Sequence, residues 1–415
     1  MTTTTNNEQK KLNVPNLRFP EFQGEWKKCI LGDITEIFNL RNKDKIQYPM
    51  FSVTNDRGFV PQSEQFEGRD MVGEDIKAYK IIHSNDFAYN PARINVGSIA
   101  MYTGEKPCMI SSLYVCFKTT KEVNNEWLMQ LLKTPKMNYY YNVNGEGGVR
   151  VYLFYPNFAR IRMSIPKIEE QKKIAKLLNL IDERIATQNK IIEDLKKLKC
   201  AIIEDLYCSP KQREPKRRFL EYSLPLSSYR MKDFCERITE KNKDNKCSLV
   251  LTIAAQYGLV DQKTFFNKSV ASENLTSYYI LHKGDFAYNR SYSTGYAWGA
   301  VKRLDKYEDG VLSTLYICFK INETIVDSDY LSYYFESTKW HKGVSDISGE
   351  GARNHGLLNI SVTDYFDTEH CFPHIEEQKR IASMLNAITV KEQKAIGLEK
   401  LYSKQKQYLL RQMFI

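Results

Sequence analysis

Residues 165–207 read IPKIEEQKKIAKLLNLIDERIATQNKIIEDLKKLKCAIIEDLY, and this stretch decides the architecture. It holds no glycine, and its only proline, Pro166, stands at the front. A first helical turn tolerates proline because its N–H groups have no partner within the helix. Glu169 and Glu170 lie where the helix dipole favours anions; Lys196, Lys197 and Lys199 lie where it favours cations. Ile174, Leu178, Ile181, Ile185, Ile192, Leu195, Ile202 and Leu206 fall at spacings of three and four, with Gln188 and Lys199 as polar interruptions. That is a heptad-type stripe on one continuous helix. At 1.5 Å per residue it is a rod of roughly 60 Å with an apolar seam it cannot bury alone.

The chain supplies a second rod, FPHIEEQKRIASMLNAITVKEQKAIGLEKLYSKQKQYLLRQMFI, over 372–415. The two openings, PKIEEQKKIAKLLN and PHIEEQKRIASMLN, agree almost letter for letter, with Pro166 matching Pro373. Ile381, Ile388, Ala395, Tyr402 and Leu409 recur every seventh residue; Leu385 joins the same seam, and Gly397 weakens the helix locally. Either stripe alone could cover its own domain. Two near-copies predict a mutual pair. A rod ending near Tyr207 must return through a folded segment to the start of the other, so the pair is expected to be antiparallel.

The rods belong to a larger duplication. Pro15, Arg18 and Phe19 match Pro215, Arg218 and Phe219, and Gly58 matches Gly258. IIHSNDFAYN (81–90) matches ILHKGDFAYN (280–289), and SSLYVCFK (111–118) matches STLYICFK (313–320). NGEGGVR (144–150) matches SGEGAR (348–353). The plan is globule, rod, globule, rod: 1–164, 165–208, 209–371 and 372–415. The stretch CSPKQREPKRR, with two prolines and five cations, reads as an exposed connection.

Within each globule, LYVCF, LYICF, IKAYKII and YYILH have strand composition. NEWLMQLLKTPKMNYYY and SDYLSYYFESTKWHKGV have helical spacing, with Ser328 or Asp329 as the expected N-cap of the second. The fold class is therefore α+β: two tandem α/β globules, each followed by a long helix, the two helices pairing as an antiparallel coiled coil.

The 415 residues carry a formal charge of +10, which suits a polyanionic partner without requiring one. No apolar run approaches a membrane span, and the start carries no signal-peptide pattern. The nine cysteines show no zinc spacing and read as reduced thiols of a cytoplasmic protein. A phosphate-binding loop, a G-x-S-x-G elbow and an H-E-x-x-H pair are all missing. Asn90-Pro91-Ala92-Arg93 matches only weakly the N-P-P-aromatic loop of adenine methyltransferases. No catalytic or metal-ligating residue is assigned.

Where the copies agree, the residues are apolar or glycine and read as scaffold. Where they differ, they are polar and basic. In the first copy the candidates for DNA contact are Arg41, Lys43, Lys45, Arg57, Asn90, Arg93, Asn95 and Arg150. In the second they are Lys241, Lys243, Gln256, Asn289, Arg290, Tyr292, Arg353, Asn354 and His355. Cations neutralise phosphates, while Arg, Asn and Gln read base edges in the major groove. Any one of these side chains alone also reads as an ordinary solvated surface residue.

Taken together, PNLRFPEFQGEW near the start, the two I-E-E-Q-K-[KR]-I-A-x-x-L-N openings, DFAYN, and GEGxxR with HGLLNISVTDYF in the second copy resemble the specificity subunit of type I restriction–modification systems. The resemblance spans nearly the whole chain; Gly397 and the GEGGVRVYLFYPNF segment depart from the pattern. It implies two target-recognition domains reading a bipartite, asymmetric double-stranded DNA sequence. The paired helices would set the spacing and dock two methyltransferase subunits, with restriction–translocase subunits joining them. S-adenosylmethionine, ATP and Mg2+ would belong to those partners and none to this chain. The competing classes are a self-sufficient DNA methyltransferase or nuclease, which no motif supports, and a coiled-coil scaffold without DNA contact.

Overall fold

The computed structural model describes residues 12–65, 76–147, 151–212, 214–267, 274–293, 295–348 and 358–415. The chain divides into two compact units: residues up to Gln188 with Gly397–Ile415, and Asn189–Ile396. The division runs through both long helices, Ile168–Leu206 and Ile375–Gln412, so each unit contains part of each.

The first unit is built on a four-stranded antiparallel sheet ordered Thr35–Phe38, Val115–Thr119, Phe87–Tyr89, Ile99–Met101. Strand side chains alternate between faces. Phe87 and Tyr89 therefore enter one cluster with Phe117, Trp127 and Phe158, and Ala88 enters another with Val53, Ile82 and Cys116. Phe87, Ala88 and Tyr89 are all fully buried, because the sheet is covered on both faces. That is why DFAYN reads as a solid apolar run. The hairpin Phe51–Thr54 with Gly58–Pro61 contributes to the second cover. The second unit repeats this frame with Cys235–Arg237, Ile317–Ile321, Phe286–Asn289 and Ala300–Arg303. There Phe286 and Tyr288 face one core and Ala287 the other. Phe87 lies opposite Phe117 as Phe286 lies opposite Phe319.

The E-E-Q opening of each rod is an anchor. The first glutamate, Glu169 or Glu376, is exposed; the second, Glu170 or Glu377, is buried. Glu170 receives a bidentate pair from Arg18 (Nε–Oε1 2.8 Å, Nη2–Oε2 2.7 Å) and a hydrogen bond from the Trp26 indole. Glu377 receives the same fork from Arg218 (2.9 and 2.6 Å). Gln171 accepts from the Asn124 N–H and donates to the carbonyls of Glu122 and Pro166. Gln378 accepts from the Asp327 N–H and donates to Ile325 and Pro373. Each buried glutamine thus fastens its rod to the N-cap of a globule helix. Asn124 and Asp327 in turn accept from the N–H groups of Trp127 and Tyr330.

The helices run antiparallel. In the first unit Lys406 holds both oxygens of Asp182 (2.6 and 2.7 Å), and the Tyr402 hydroxyl meets Arg184. Ile174, Leu178 and Ile181 share a core with Leu409, Met413 and Phe414. In the second unit Ile203 and Tyr207 share a core with Ile381 and Leu385. There Lys199, read as a polar interruption of the stripe and a late cation on the helix, reaches buried Glu392 at 2.7 Å. The expected seam therefore has two tasks. Ile174, Leu178, Ile181, Ile381, Leu385 and Leu409 are buried within globule cores as well as under the other helix; Ile185, Ile192, Leu195, Ile202 and Tyr402 are half-buried, and Ile388 is buried. The two units also close alike: the Leu17 N–H donates to the Gln412 carbonyl (2.9 Å), as Arg217 does to Asp205 (3.0 Å).

Local expectations change in four places. Both rods begin two residues beyond their proline, whose carbonyl caps the buried glutamine. The N-cap of Ser328–Glu336 is Asp327 rather than Ser328 or Asp329. IKAYKII is a 3-10 turn, Ile76–Ala78, followed by a short strand, Lys80–Ile82. The segment of helical spacing around Leu128 forms two helices, Asn125–Leu132 and Pro135–Asn144, because Thr134 caps a new start with Pro135 in its first turn.

Replacing Gln378 by Ala strands a buried N–H and two carbonyls, and is expected to lower the stability of the second unit by about 2–3 kcal/mol in urea unfolding. A second expectation concerns pH. His370 is buried in the second unit. The Thr368 hydroxyl is engaged with the Tyr365 carbonyl, so Nε2 of His370 donates to Thr368 and Nδ1 accepts from Tyr334. Burial pushes its pKa from 6.5 down to about 3. The unfolded state binds the extra proton, so this contribution is complete above pH 6.5 and is lost as pH falls toward 3. Half-buried His341 shifts the same way, and exposed His282, raised by its hydrogen bond to Asp309, the opposite way. Between pH 6.5 and 5 the second unit should lose about 1–2 kcal/mol, and His370→Phe should flatten that slope in pH-dependent unfolding.

Candidate nucleic-acid interface

The strand DFAYN ends in both units on an asparagine that turns the chain. Asn90 Oδ1 accepts from the Ala92 N–H (3.0 Å), and Asn289 Oδ1 from the Ser291 N–H (2.9 Å). These are Asx turns, in which a side chain replaces a backbone acceptor. Each following loop is then pinned at the next residue: the Pro91 carbonyl accepts from Leu153 and the Arg290 carbonyl from Leu358. In the second unit a Cβ on Gly299 would lie 2.1 Å from the Asn289 carbonyl, so only glycine fits that return strand.

In the first unit this loop meets the hairpin turn. Ser98 donates to the Val53 carbonyl (2.7 Å), and Gly97, at φ +101°, packs on Asn55. Asn95 reaches across to Asn142 on the neighbouring helix (3.0 Å). The result is one polar tip presenting Asn55, Asp56, Arg57, Arg93 and Asn95. Hydrogen bonds from the turn's own backbone hold the Asp56 carboxyl below the ordinary range, so it carries charge beside Arg57. Arg57 also lies 3.8 Å from Glu64, an exposed and weak pair.

The second unit presents different chemistry from the same places. Its hairpin turn exposes Gln256 and Tyr257, and its loop exposes Tyr292 and Ser293. Lys306 donates to the Tyr257 carbonyl, fixing that turn. Arg290, expected to face DNA, is a strut: Nη1 donates to the Ile360 carbonyl (2.9 Å) and Nη2 to that of Leu315 (3.1 Å). Asn90 and Asn289 likewise have their side-chain oxygens engaged at home. Sequence pattern could not separate these three from free polar residues, since the partners are distant in the chain or are backbone atoms.

Arg41, Lys43, Lys45, Lys241 and Lys243 are exposed on a separate loop in each unit. Arg150, Arg353, Asn354 and His355 lie outside the described residues. Two further residues were missed by sequence reading, Asn42 and Asn242. Both are fully buried and organise those basic loops, and their common setting, RNKDK against KNKDN, was a readable signal. Among the described residues no group of three or more His, Cys, Asp or Glu could hold a metal ion, and no helix is long and apolar enough to cross a membrane.

This frame can be set beside known proteins. Residues 23–197 match the family described as the type I restriction modification DNA specificity domain. The chain is 26% identical over 208 residues to the "Putative type I restriction enzyme MjaX specificity subunit" of Methanocaldococcus jannaschii; the match spans 48% of this chain and about half (49%) of that relative. It is 25% identical over 351 residues to the type I restriction enzyme MjaVIII specificity subunit of the same organism, 77% of each chain. The crystal structure of the type I restriction–modification S subunit from M. genitalium superposes with a TM-score of 0.57 at 11% identity, over 97% of this chain and 99% of that one. A chain from a structure of type I restriction–modification complex assembly gives 0.52 at 13%, over 93% and 96%. Residues 23–197 therefore match a type I DNA specificity domain, and the solved structures share the fold. The chain is thus similar to the specificity subunits of type I restriction–modification systems.

Arg290→Ala leaves two carbonyls without donors and is expected to cost about 1–2 kcal/mol of stability. Arg93→Ala and Tyr292→Ala, at exposed tips, should each stay within about 0.5 kcal/mol. Urea unfolding of the three variants checks this; equal losses would contradict the strut assignment.

Proposed function

We propose that this chain is the sequence-specificity subunit of a type I restriction–modification complex, each unit reading one half of a bipartite, asymmetric duplex target. One observation carries the reading: two frames of the same strand order, with matching buried anchors, present unlike polar tips. Asn55, Arg57, Arg93 and Asn95 serve one half-site; Gln256, Tyr257 and Tyr292 serve the other. Two identical readers would suit a palindrome, whereas two unlike readers on one chain suit an asymmetric target. Asn and Gln side chains pair with adenine edges, and Arg with guanine, in the major groove. The outward-facing, half-apolar helix surfaces suit docking by methyltransferase subunits: Leu180, Ile191 and Leu198 on one helix, Val390, Leu401 and Tyr408 on the other, are all exposed. S-adenosylmethionine, ATP and Mg2+ are assigned to those subunits and to the translocase–nuclease subunits, and the chemistry with them.

The test is methylation mapping of genomic DNA from cells expressing this chain with its methyltransferase partner. The expected result is a modified motif in two parts with a fixed gap. Exchanging residues 55–57 and 93–95 for those of another specificity subunit should change one part and leave the other intact. A single continuous motif would overturn the proposal.

A further inference from the structure

The basic loops are an exposed basic segment that the two copies hold in common. In each, a fully buried asparagine closes a ring on the chain ahead of it. Asn42 Nδ2 donates to the Ile46 carbonyl (2.8 Å) while its Oδ1 accepts from the Ile46 N–H (3.0 Å). Asn242 does the same with Cys247 (2.8 and 3.1 Å). The backbone repeats too. Lys43 N donates to Arg41 O and Lys243 N to Lys241 O, Asn42 N to Tyr79 O and Asn242 N to Tyr278 O. Lys45 and Asn245 both sit at positive φ (54° and 49°). A non-glycine residue in that region costs energy, and asparagine tolerates it better than lysine does. Two loops have thus kept one strained shape while the tips around them diverged.

That shape holds cations outward. Arg41, Lys43 and Lys45 in one loop, and Lys241 and Lys243 in the other, are exposed and make no ion pair among the described residues. Each loop carries one carboxylate; Asp244 is engaged with Lys246 at 3.3 Å. In the second unit a groove of about 620 Å³ opens beside the loop, lined by Lys241, Lys243 and Lys246 with Glu240 and Asp244. The tip of the second unit does not supply this charge. Over 254–258 and 290–296 of the second unit, the only cation among the described residues is Arg290, and its guanidinium is engaged with two carbonyls. Phosphate contacts position a protein on a duplex and carry no sequence information. A device for that purpose should be the same in both halves, and a device for reading bases should not.

We propose that the loops at 41–45 and 241–246 are a matched pair of phosphate grips, one for each half of the target, setting affinity and leaving base choice to the tips. The inference rests on the DNA-binding role proposed above. Its test measures binding of the complex of this chain with its methyltransferase partner to two duplexes, one carrying the mapped methylation motif and one scrambled, across a range of salt. With Lys43→Ala and Lys243→Ala combined, the slope of log affinity against log salt should fall by about 0.9 for each phosphate no longer neutralised, equally for both duplexes. The preference for the mapped motif, and the motif itself, should not change. Lys43→Arg with Lys243→Arg should restore the slope. An unchanged slope, or a collapsed preference with the slope intact, overturns the phosphate-grip assignment alone. Failure of the unsubstituted complex to prefer the mapped duplex overturns the DNA-reading role and this inference with it.

Discussion

A helix of nearly forty residues with an apolar stripe is unstable in water until something covers the stripe, and that constraint organises this molecule. The first turns of each rod lie on their own globule, where a buried glutamate and glutamine fasten them. Farther along, each rod lends its end to the core of the other unit's globule. Ile174 and Leu178 share a cluster with Leu409 and Phe414; Ile381 and Leu385 share one with Ile203 and Tyr207. Neither globule completes its core without the end of the other's helix.

The anchors explain why the openings of the rods are nearly identical while the rest of each rod is not. Glu170 and Glu377 are almost wholly removed from water, and a carboxylate in that position needs both its oxygens paired. Only a bidentate arginine meets that need well, which fixes Arg18 and Arg218. Gln171 and Gln378 each satisfy one donor and one acceptor of the globule backbone and the carbonyl of the rod's opening proline, a task no charged or apolar residue performs. Beyond the anchors the requirement is only for apolar residues at the right spacing. There the two rods share a pattern rather than letters.

The same logic separates frame from tips. A sheet covered on both faces leaves no free side of a strand on which to vary, so DFAYN and LYVCF recur as DFAYN and LYICF. Variation collects in loops that leave the sheet, and there the two units part company. The Asx turns at Asn90 and Asn289 begin those loops identically and then release them to different chemistry. The basic loops, though exposed, keep one conformation in both units, because a buried asparagine holds each of them.

The sequence by itself determined the duplication, the two rods, their antiparallel pairing and the alternation of shared frame with divergent polar segments. Those features are written in periodicity and in matched words, which are local properties of the chain. It could not tell that Arg290 is a strut or that Lys199 meets Glu392. Each of those facts depends on a partner atom brought near by folding, often a carbonyl that looks alike at every position. Whether a polar side chain faces a ligand or satisfies its own protein is decided by tertiary structure, because burial makes an unpaired polar atom costly and the nearest available partner then claims it.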